Sequence, residues 1–298
     1  MRPGALWTNR SLRQLATDLR SRGFRVSVPV VEQLLRRHRL GRRKIQKKRS
    51  MGRHPQRDLQ FRKIARLRDE YANSLNPIVS MDTKKKEFIG PFFRDGRAYA
   101  ETAPEAFDHD FPSAADGVVY PHGLFDLKHR KGHVNVGTSH DTSRFACDSL
   151  GYWWENHGRA DYPLATSILL LCDGGGSNSA RRYVFKHYLE LLADRLRIEI
   201  RVAHYPPYAS KYNPIEHQFF CHISAACRGV LFTSVEIVLA QIAKTETTTG
   251  LRTTVHHLAG EYPIGEKAPK GYKKAMKIVF DDELPAWNYR AIPSKPGS

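Results

Sequence analysis

Three acidic residues stand where carboxylates could bind divalent metal ions. Asp82 and Asp173 each follow a short apolar run that predicts a β-strand, and Glu216 lies at a predicted helix start. Mg²⁺ and Mn²⁺ prefer hard oxygen ligands. Two such ions can activate a water or a 3′-hydroxyl and stabilise the leaving oxygen of a phosphodiester. In a chain of net charge +18, the three carboxylates therefore suggest metal-dependent cutting and joining of nucleic acid.

Each acidic residue also has an ordinary structural explanation. An aspartate such as Asp82 after a strand is usually a turn or helix cap, and the three glycines after Asp173 suit a turn. Glu216 would be stabilised by the helix dipole at a helix N-terminus. The glycine run is not a P-loop, because no Gly-Lys-Ser/Thr follows it. The functional interpretation therefore depends on all three residues meeting at one site.

The elements that would bring these residues together alternate between strands and helices. The predicted strands are 77–83, 86–93, 117–126, 132–138, 167–173 and 198–204, and the predicted helices are 142–157, 179–195 and 213–228. This order predicts a mixed α/β sheet with helices on its faces. Asp82 and Asp173 would share one edge if their strands are neighbours, and Asn213 would cap the helix that carries Glu216.

The N-terminal region predicts a basic helix-turn-helix module. Ser11-Leu-Arg-Gln14 has the form of a capping box, and a glycine stop separates its helix from a second apolar stripe over 30–35. Residues 1–70 hold 21 lysines and arginines against 5 acidic residues. A helical hairpin with a solvated basic face is the alternative. The predicted DNA-binding residues are Arg36, Arg37, Arg39, Arg42, Arg43, Lys44, Lys47, Lys48 and Arg49.

These patterns divide the chain into four segments. We expect a helix-turn-helix module with a basic tail over 1–50, a connecting helix within 51–76, a catalytic domain over 77–260 and a tail over 261–298. The longest purely apolar run, Ile168–Cys172, is far shorter than the roughly 18 residues of a membrane span. The four cysteines lack CxxC spacing, which favours reduced thiols. With no secretory signal pattern at the start, we expect a cytoplasmic, nucleoid-associated protein.

Three sequence blocks resemble those of a known enzyme family. Met81-Asp-Thr-Lys-Lys-Lys-Glu87, Cys172-Asp-Gly-Gly-Gly-Ser-Asn178 and Asn213-Pro-Ile-Glu-His217, taken in order, resemble the catalytic blocks of DDE transposases in the mariner-like branch of insertion sequences. The Rhodopirellula-type transposase family is the most similar, over roughly residues 77–260. The segment Trp287-Asn-Tyr289 near the tail also resembles that family. The resemblance implies a ribonuclease-H-like core and two Mg²⁺ or Mn²⁺ ions held by Asp82, Asp173 and Glu216.

Several further residues are weaker candidates for the same site. Asn178, Lys211 and His217 could touch phosphate or orient Glu216, and so could His204. Structural hydrogen bonding or solvent exposure is the alternative for each of them. Asp141 could be a fourth acidic neighbour, but it is expected to cap the helix that starts at 142. The tryptophan pair 153–154 is expected to pack in the core.

The sequence thus predicts a DNA transposase that cleaves element ends and transfers the released strand into target DNA. Its expected partners are double-stranded DNA, as element ends and target, and a second copy of the chain in a homodimer on DNA, with no membrane. Two alternatives remain. One is a noncatalytic DNA-binding transposase remnant, and the other is a ribonuclease-H-like nuclease without strand transfer.

Overall fold

Two compact units make up the structure, one within Met1–Arg49 and the other within Ser50–Ser298. The computed structural model describes residues 8–43, 54–97 and 99–295. The first unit contains helix α1, Leu12–Ser21, and helix α2, Val28–Arg37. The predicted capping box is present, because the Ser11 side chain accepts from Gln14 N while the Gln14 side chain accepts from Ser11 N. The two predicted N-terminal helices are therefore confirmed.

The helices of the second unit mostly alternate with its strands. They are α3 Arg57–Ala72, α4 Ser143–Trp153, α5 Arg159–Asp161, α6 Tyr183–Leu196, α7 Cys221–Ala226, α8 Val235–Ala243 and α9 Tyr272–Ala275. Two π-helical segments, Trp154–Gly158 and Glu216–Phe220, adjoin α4 and α7. No helix in the described ranges is long and apolar enough to cross a membrane.

The strands of the second unit form one mixed sheet. They are β1 Ile78–Thr83, β2 Glu87–Ile89, β3 Gly117–Asp126, β4 Lys131–Gly137, β5 Ser167–Cys172, β6 Glu199–His204, β7 Arg252–His257, β8 Val279–Phe280 and β9 Asn288–Ala291. The order is β7-β4-β3-β1-β5-β6-β9-β8, and β2 pairs with β3. Within the central β4-β3-β1-β5-β6 only β3 runs opposite to the others. This is the expected ribonuclease-H-like arrangement.

Apolar residues on both faces of the sheet hold the helices against it. Phe185 on α6 and Trp153 at the end of α4 are buried in one core cluster, together with Trp154 and residues of β1, β5 and β6. Phe219 and Phe220 belong to a second cluster with β3 and β4. The expectation that the tryptophan pair packs in the core is confirmed.

The last part of the described chain adds strands that the sequence did not predict. β9 pairs antiparallel with β6, with Val202 opposite Tyr289, and β8 pairs with β9. β7 joins the opposite edge beside β4. β7 has an exposed or half-exposed side chain at every position, so it lacks the apolar alternation that marks a strand in sequence.

Candidate active site

Two aspartates lie side by side at one edge of the sheet. β1 and β5 are parallel neighbours in which Met81 is paired with Cys172. Asp82 is the next residue on β1, and Asp173 directly follows the end of β5. The carboxyl ends of two paired parallel strands thus present the two side chains at the same edge. The strand pairing that the sequence analysis required is present.

Glu216 reaches this edge from a helical segment that is tied to β1. Its backbone N–H donates to the carbonyl of Asn213, 3.1 Å away, at the start of the π-helical segment. The buried Asn213 side chain bonds to Ser80 and to the Met81 carbonyl on β1, at 2.5 and 3.3 Å. The expected side-chain cap by Asn213 is therefore wrong, because β1 offers this amide polar partners inside the protein.

Two glycines let the segment that carries Glu216 approach the sheet closely. A Cβ at Gly123 on β3 would collide with the ring of Phe220, and one at Gly132 on β4 would collide with Phe219. Gly123 is also the register partner of Asp82. The bare backbone at these positions makes room for the two rings that follow Glu216.

The carboxylates at this edge interact electrostatically. The pKa of Asp82 is raised to about 8, mainly by burial, with the nearby charges of Asp173 and Glu216 adding to the rise. The pKa of Glu216 is also raised, first by burial and then by Asp173. Burial raises the pKa of Asp173, although a hydrogen bond from Gly175 N opposes the rise. The charge of Asp173 acts on both Asp82 and Glu216, and that of Glu216 acts on Asp82, so the three carboxylates are electrostatic neighbours at this edge.

Asp141 also approaches this edge, where the sequence analysis expected a helix cap. Thr142 caps α4 instead, accepting from Phe145 N at 3.2 Å. The Asp141 carboxylate accepts from the Thr83 hydroxyl at 3.0 Å, and the charge of Asp173 contributes to its raised pKa behind the larger effect of burial. The expected capping role is therefore wrong, and Asp141 is an acidic neighbour of the site.

His204 contacts the backbone of Asp173 from the adjacent strand. Its Nδ1 lies 2.8 Å from the Asp173 carbonyl oxygen and its Nε2 lies 2.8 Å from the hydroxyl of Tyr289 on β9. Both rings are buried. From its sequence context, His204 was expected only as a contact for phosphate or Glu216, and Tyr289 stood out only as part of the tail motif.

The other candidate residues differ in exposure. Asn178 is buried in a 3₁₀ turn after Asp173, where its Oδ1 accepts from Ser177 at 3.4 Å. Lys211 and His217 are exposed, and the charge of His217 lowers the pKa of Glu216 against the effect of burial. The exposed candidates for DNA binding in the first unit are Arg36, Arg37, Arg39, Arg42 and Arg43. Lys44, Lys47, Lys48 and Arg49 lie outside the described residues.

A second group of possible metal ligands lies at the other end of β3. Asp126, His129 and Asp161 bring their ligand atoms within 4.8 Å of one another. Asp126 accepts from the Tyr162 hydroxyl at 2.8 Å, and Asp161 is paired with Lys131 at 2.8 Å. These contacts give the second acidic group a structural role at the β3–β4 turn.

Solved structures that resemble this chain include complexes of the Mos1 transposase. A mariner Mos1 paired-end complex with Mg is 18% identical with a TM-score of 0.47, and a Mos1 paired-end complex with the left transposon end is 16% identical with a TM-score of 0.45. Each alignment covers 77% of this chain and 64% of the Mos1 chain. The chain thus spans less than two thirds of the length of those proteins. Among curated proteins, none matches this chain significantly.

A protein-family model gives a match over nearly the whole sequence. The model describes the Rhodopirellula transposase DDE domain and matches residues 1–293. Its match includes both strand-end aspartates and the glutamate at the helix start. The chain belongs to the Rhodopirellula transposase DDE domain family.

Proposed function

We propose that this protein is a DNA transposase that cleaves element ends and transfers the released strand into target DNA. The observation that carries the proposal is the meeting of Asp82, Asp173 and Glu216 at one edge of a ribonuclease-H-like sheet. Membership of a transposase DDE family supports the same reaction. In this proposal the three carboxylates are the catalytic metal ligands.

The charges around the site fit divalent cations. For Asp82 both charged neighbours that shift its pKa are carboxylates, and both raise it. For Glu216 the opposing positive charges come from His217 and Lys84, and they are weaker than burial and Asp173. Since carboxylate oxygens are hard ligands, the set suits Mg²⁺ or Mn²⁺ better than a softer metal. We propose two ions, held by Asp82, Asp173 and Glu216.

The protein's own contribution is to fix the ligands before DNA arrives. Asp82 and Asp173 follow paired strands, so their spacing is set by the sheet. Glu216 is exposed on its helical segment, which leaves one side of the site open to a phosphodiester. Bound divalent ions would supply activation of the attacking oxygen and stabilisation of the leaving oxygen. No protein nucleophile is needed, because water and then the DNA 3′-hydroxyl attack.

The first unit is proposed to hold the element ends. Arg36, Arg37 and Arg39 extend from the end of α2 into the turn after it, and all three are exposed. Arginines presented in this way can reach phosphates or the major groove. Within its described residues the unit buries only two apolar side chains, Ala16 and Val31. So small a core suits a module stabilised by DNA and by a second copy, and we propose a homodimer on DNA.

The test compares wild-type protein with Asp173→Asn on DNA taken from the flanks of its own gene. In Mg²⁺ or Mn²⁺ we expect cleavage to fall at least about 10–100-fold, because a metal ligand is lost, while DNA binding persists. Asp69→Asn removes an exposed aspartate charge near the end of α3, two residues before Tyr71, which bonds Ser167 at the end of β5 opposite Asp173, and should cleave normally. Equal cleavage by Asp173→Asn and wild type would refute the proposed mechanism.

The same assay separates the two alternatives. A wild-type protein that binds the flanking DNA but never cuts it would be a noncatalytic remnant. One that cuts but never joins the released 3′ end to a target plasmid would be a nuclease.

A further inference from the structure

His204 makes hydrogen bonds in one fixed direction. A carbonyl oxygen can only accept, so the contact of 2.8 Å with Asp173 requires a proton on His204 Nδ1. In a neutral imidazole the other nitrogen then accepts, and the Tyr289 hydroxyl donates to Nε2 across 2.8 Å. The chain of donors therefore runs from Tyr289 through His204 to the backbone of Asp173.

The surroundings of His204 keep this arrangement neutral and in place. The side chains of His204 and Tyr289 are both buried, which disfavours a charge on either ring. The His204 backbone N–H donates to the Trp287 carbonyl at 2.9 Å. The His204 carbonyl accepts from Gln60 on α3 at 2.8 Å, and Gln60 in turn exchanges side-chain bonds with Asn288. His204 is thus held through its ring by Tyr289 on β9 and through its backbone by Gln60 on α3.

Asp173 needs such an anchor because of its position in the chain. The β5–β6 register ends with the pair Cys172 and His204, one residue before Asp173. Three glycines follow Asp173, and glycine restricts the backbone least. The bond from His204 therefore holds the backbone at the point where strand pairing stops.

We propose that His204 and Tyr289 are positioning residues for Asp173, fixing its backbone so that its carboxylate meets those of Asp82 and Glu216. The inference rests on the proposed function, because it takes Asp173 to be a metal ligand. Neither ring touches the reacting atoms. Together the two residues form a relay of two hydrogen bonds from β9 to the end of β5.

The first experiment measures Mn²⁺ affinity by calorimetry in the full chain. Tyr289→Phe should weaken Mn²⁺ binding about 10-fold or more, as loss of partners that orient a ligand does. Tyr71→Phe is the matched control. Its hydroxyl is also buried and bonds Ser167 at 2.6 Å, at the opposite end of β5. The control should leave Mn²⁺ affinity unchanged, and equal affinities for Tyr289→Phe and wild type would overturn the relay.

A second pair of variants tests whether His204 positions Asp173 or only fills space in the core. This pair also tests the proposal if Tyr289→Phe fails to fold. The side-chain amide of asparagine can occupy the place of Nδ1, whereas that of glutamine can occupy the place of Nε2. His204→Asn can therefore still donate to the Asp173 carbonyl, but His204→Gln keeps only the contact with Tyr289. Asparagine leaves the larger cavity, so a packing role alone would make His204→Asn the more damaging change. We expect His204→Asn to bind Mn²⁺ more tightly than His204→Gln. Equal affinities, or the reverse order, would overturn the proposal.

Wild type and Asp173→Asn measured alongside keep this inference separate from the proposed function. If wild type binds no Mn²⁺, or if Asp173→Asn binds Mn²⁺ as tightly as wild type, the proposed metal site itself is wrong. If those two proteins differ but Tyr289→Phe matches wild type, only the relay is wrong.

Discussion

The hydroxyl of Ser80 donates to the side-chain oxygen of Asn213 over 2.5 Å and joins β1 to the segment that carries Glu216. The same hydroxyl accepts from the backbone N–H of Ile215 at 3.1 Å. Ser80 lies two residues before Asp82, and Asn213 lies three before Glu216. The position of the glutamate relative to the aspartate is therefore set by buried polar bonds as well as by ring packing.

Gly123→Ala should disturb the site through that packing. A methyl group at Gly123 would collide with Phe220 and approach Ile215 to 2.9 Å. We expect the segment with Glu216 to move, with a stability loss of about 1–3 kcal/mol and a loss of cleavage of up to about 100-fold. Urea unfolding and the DNA cleavage assay measure the two effects.

Gly117→Ala on the same strand is the control for Gly123→Ala. There the nearest atom to a new Cβ is on Ile89, 3.8 Å away, which is an ordinary contact. This variant should cleave DNA like wild type. If both alanine variants behave alike, close packing against Gly123 does not position Glu216.

Asp82→Asn should stabilise the metal-free protein while removing its response to metal. The raised pKa of Asp82, about 8, means that its charged form is disfavoured in the fold, so a neutral amide relieves burial and repulsion. We expect a gain of roughly 1–3 kcal/mol at pH 7 in chelator. Thermal unfolding with and without Mn²⁺ tests both parts. A wild-type Tm that Mn²⁺ leaves unchanged, or a less stable Asp82→Asn protein in chelator, would contradict the prediction.

Single arginine changes in the first unit should reduce the salt dependence of DNA binding. If Arg37 and Arg42 each neutralise one phosphate, Arg37→Gln or Arg42→Gln should make the slope of log affinity against log salt less steep by about 1. Arg159→Gln on α5 removes the same charge before the start of β5, the end of the sheet opposite the carboxylates. Fluorescence anisotropy at several salt concentrations gives the slopes. Equal slopes for Arg37→Gln, Arg42→Gln and Arg159→Gln would exclude these contacts.

Mild acid should destabilise the fold through His122. Burial lowers the pKa of His122 to about 3, whereas in the unfolded chain it is near 6.5. Below about pH 6.5 His122 binds a proton in the unfolded chain but stays neutral in the folded protein, so stability falls as the pH falls. Between pH 7 and pH 5 the loss from this group is about 2 kcal/mol.

Urea unfolding of His122→Asn at both pH values checks this prediction. The stability difference between pH 7 and pH 5 should be smaller in the variant by that amount. His109→Asn removes an exposed imidazole and should leave the difference unchanged. A variant with the full wild-type pH dependence would show that His122 does not cause it.

Local patterns were enough to predict the strands that carry the two aspartates. Ile78–Thr83 and Ser167–Cys172 are short apolar runs, and central strands buried on both faces require such runs. In each case the aspartate comes at or just after the end of the apolar run, so its place at a strand end also follows from the local sequence. Glu216 was already a candidate from its place at a predicted helix start, and the resemblance then implied its role as a metal ligand, because an acidic residue at a helix start is common by itself.

The contacts that hold the site depend on residues far apart in the chain. Asn213 was expected to cap its own helix, and only the fold reveals that Ser80 and Met81 lie within its reach. Tyr289 gave no local sign of a role beside Asp173, since the pairing of β9 with β6 creates that contact. Long-range pairing of this kind leaves no periodic pattern in either segment.

The place of β9 beside β6 also sets an order of events during synthesis. All three carboxylates leave the ribosome well before Tyr289 does, but His204 gains its hydroxyl partner only when β9 pairs with β6. A nascent chain that already contains Asp82, Asp173 and Glu216 therefore still lacks the edge strand that completes the support behind Asp173. Translation thus separates the appearance of the acidic residues from the completion of their scaffold.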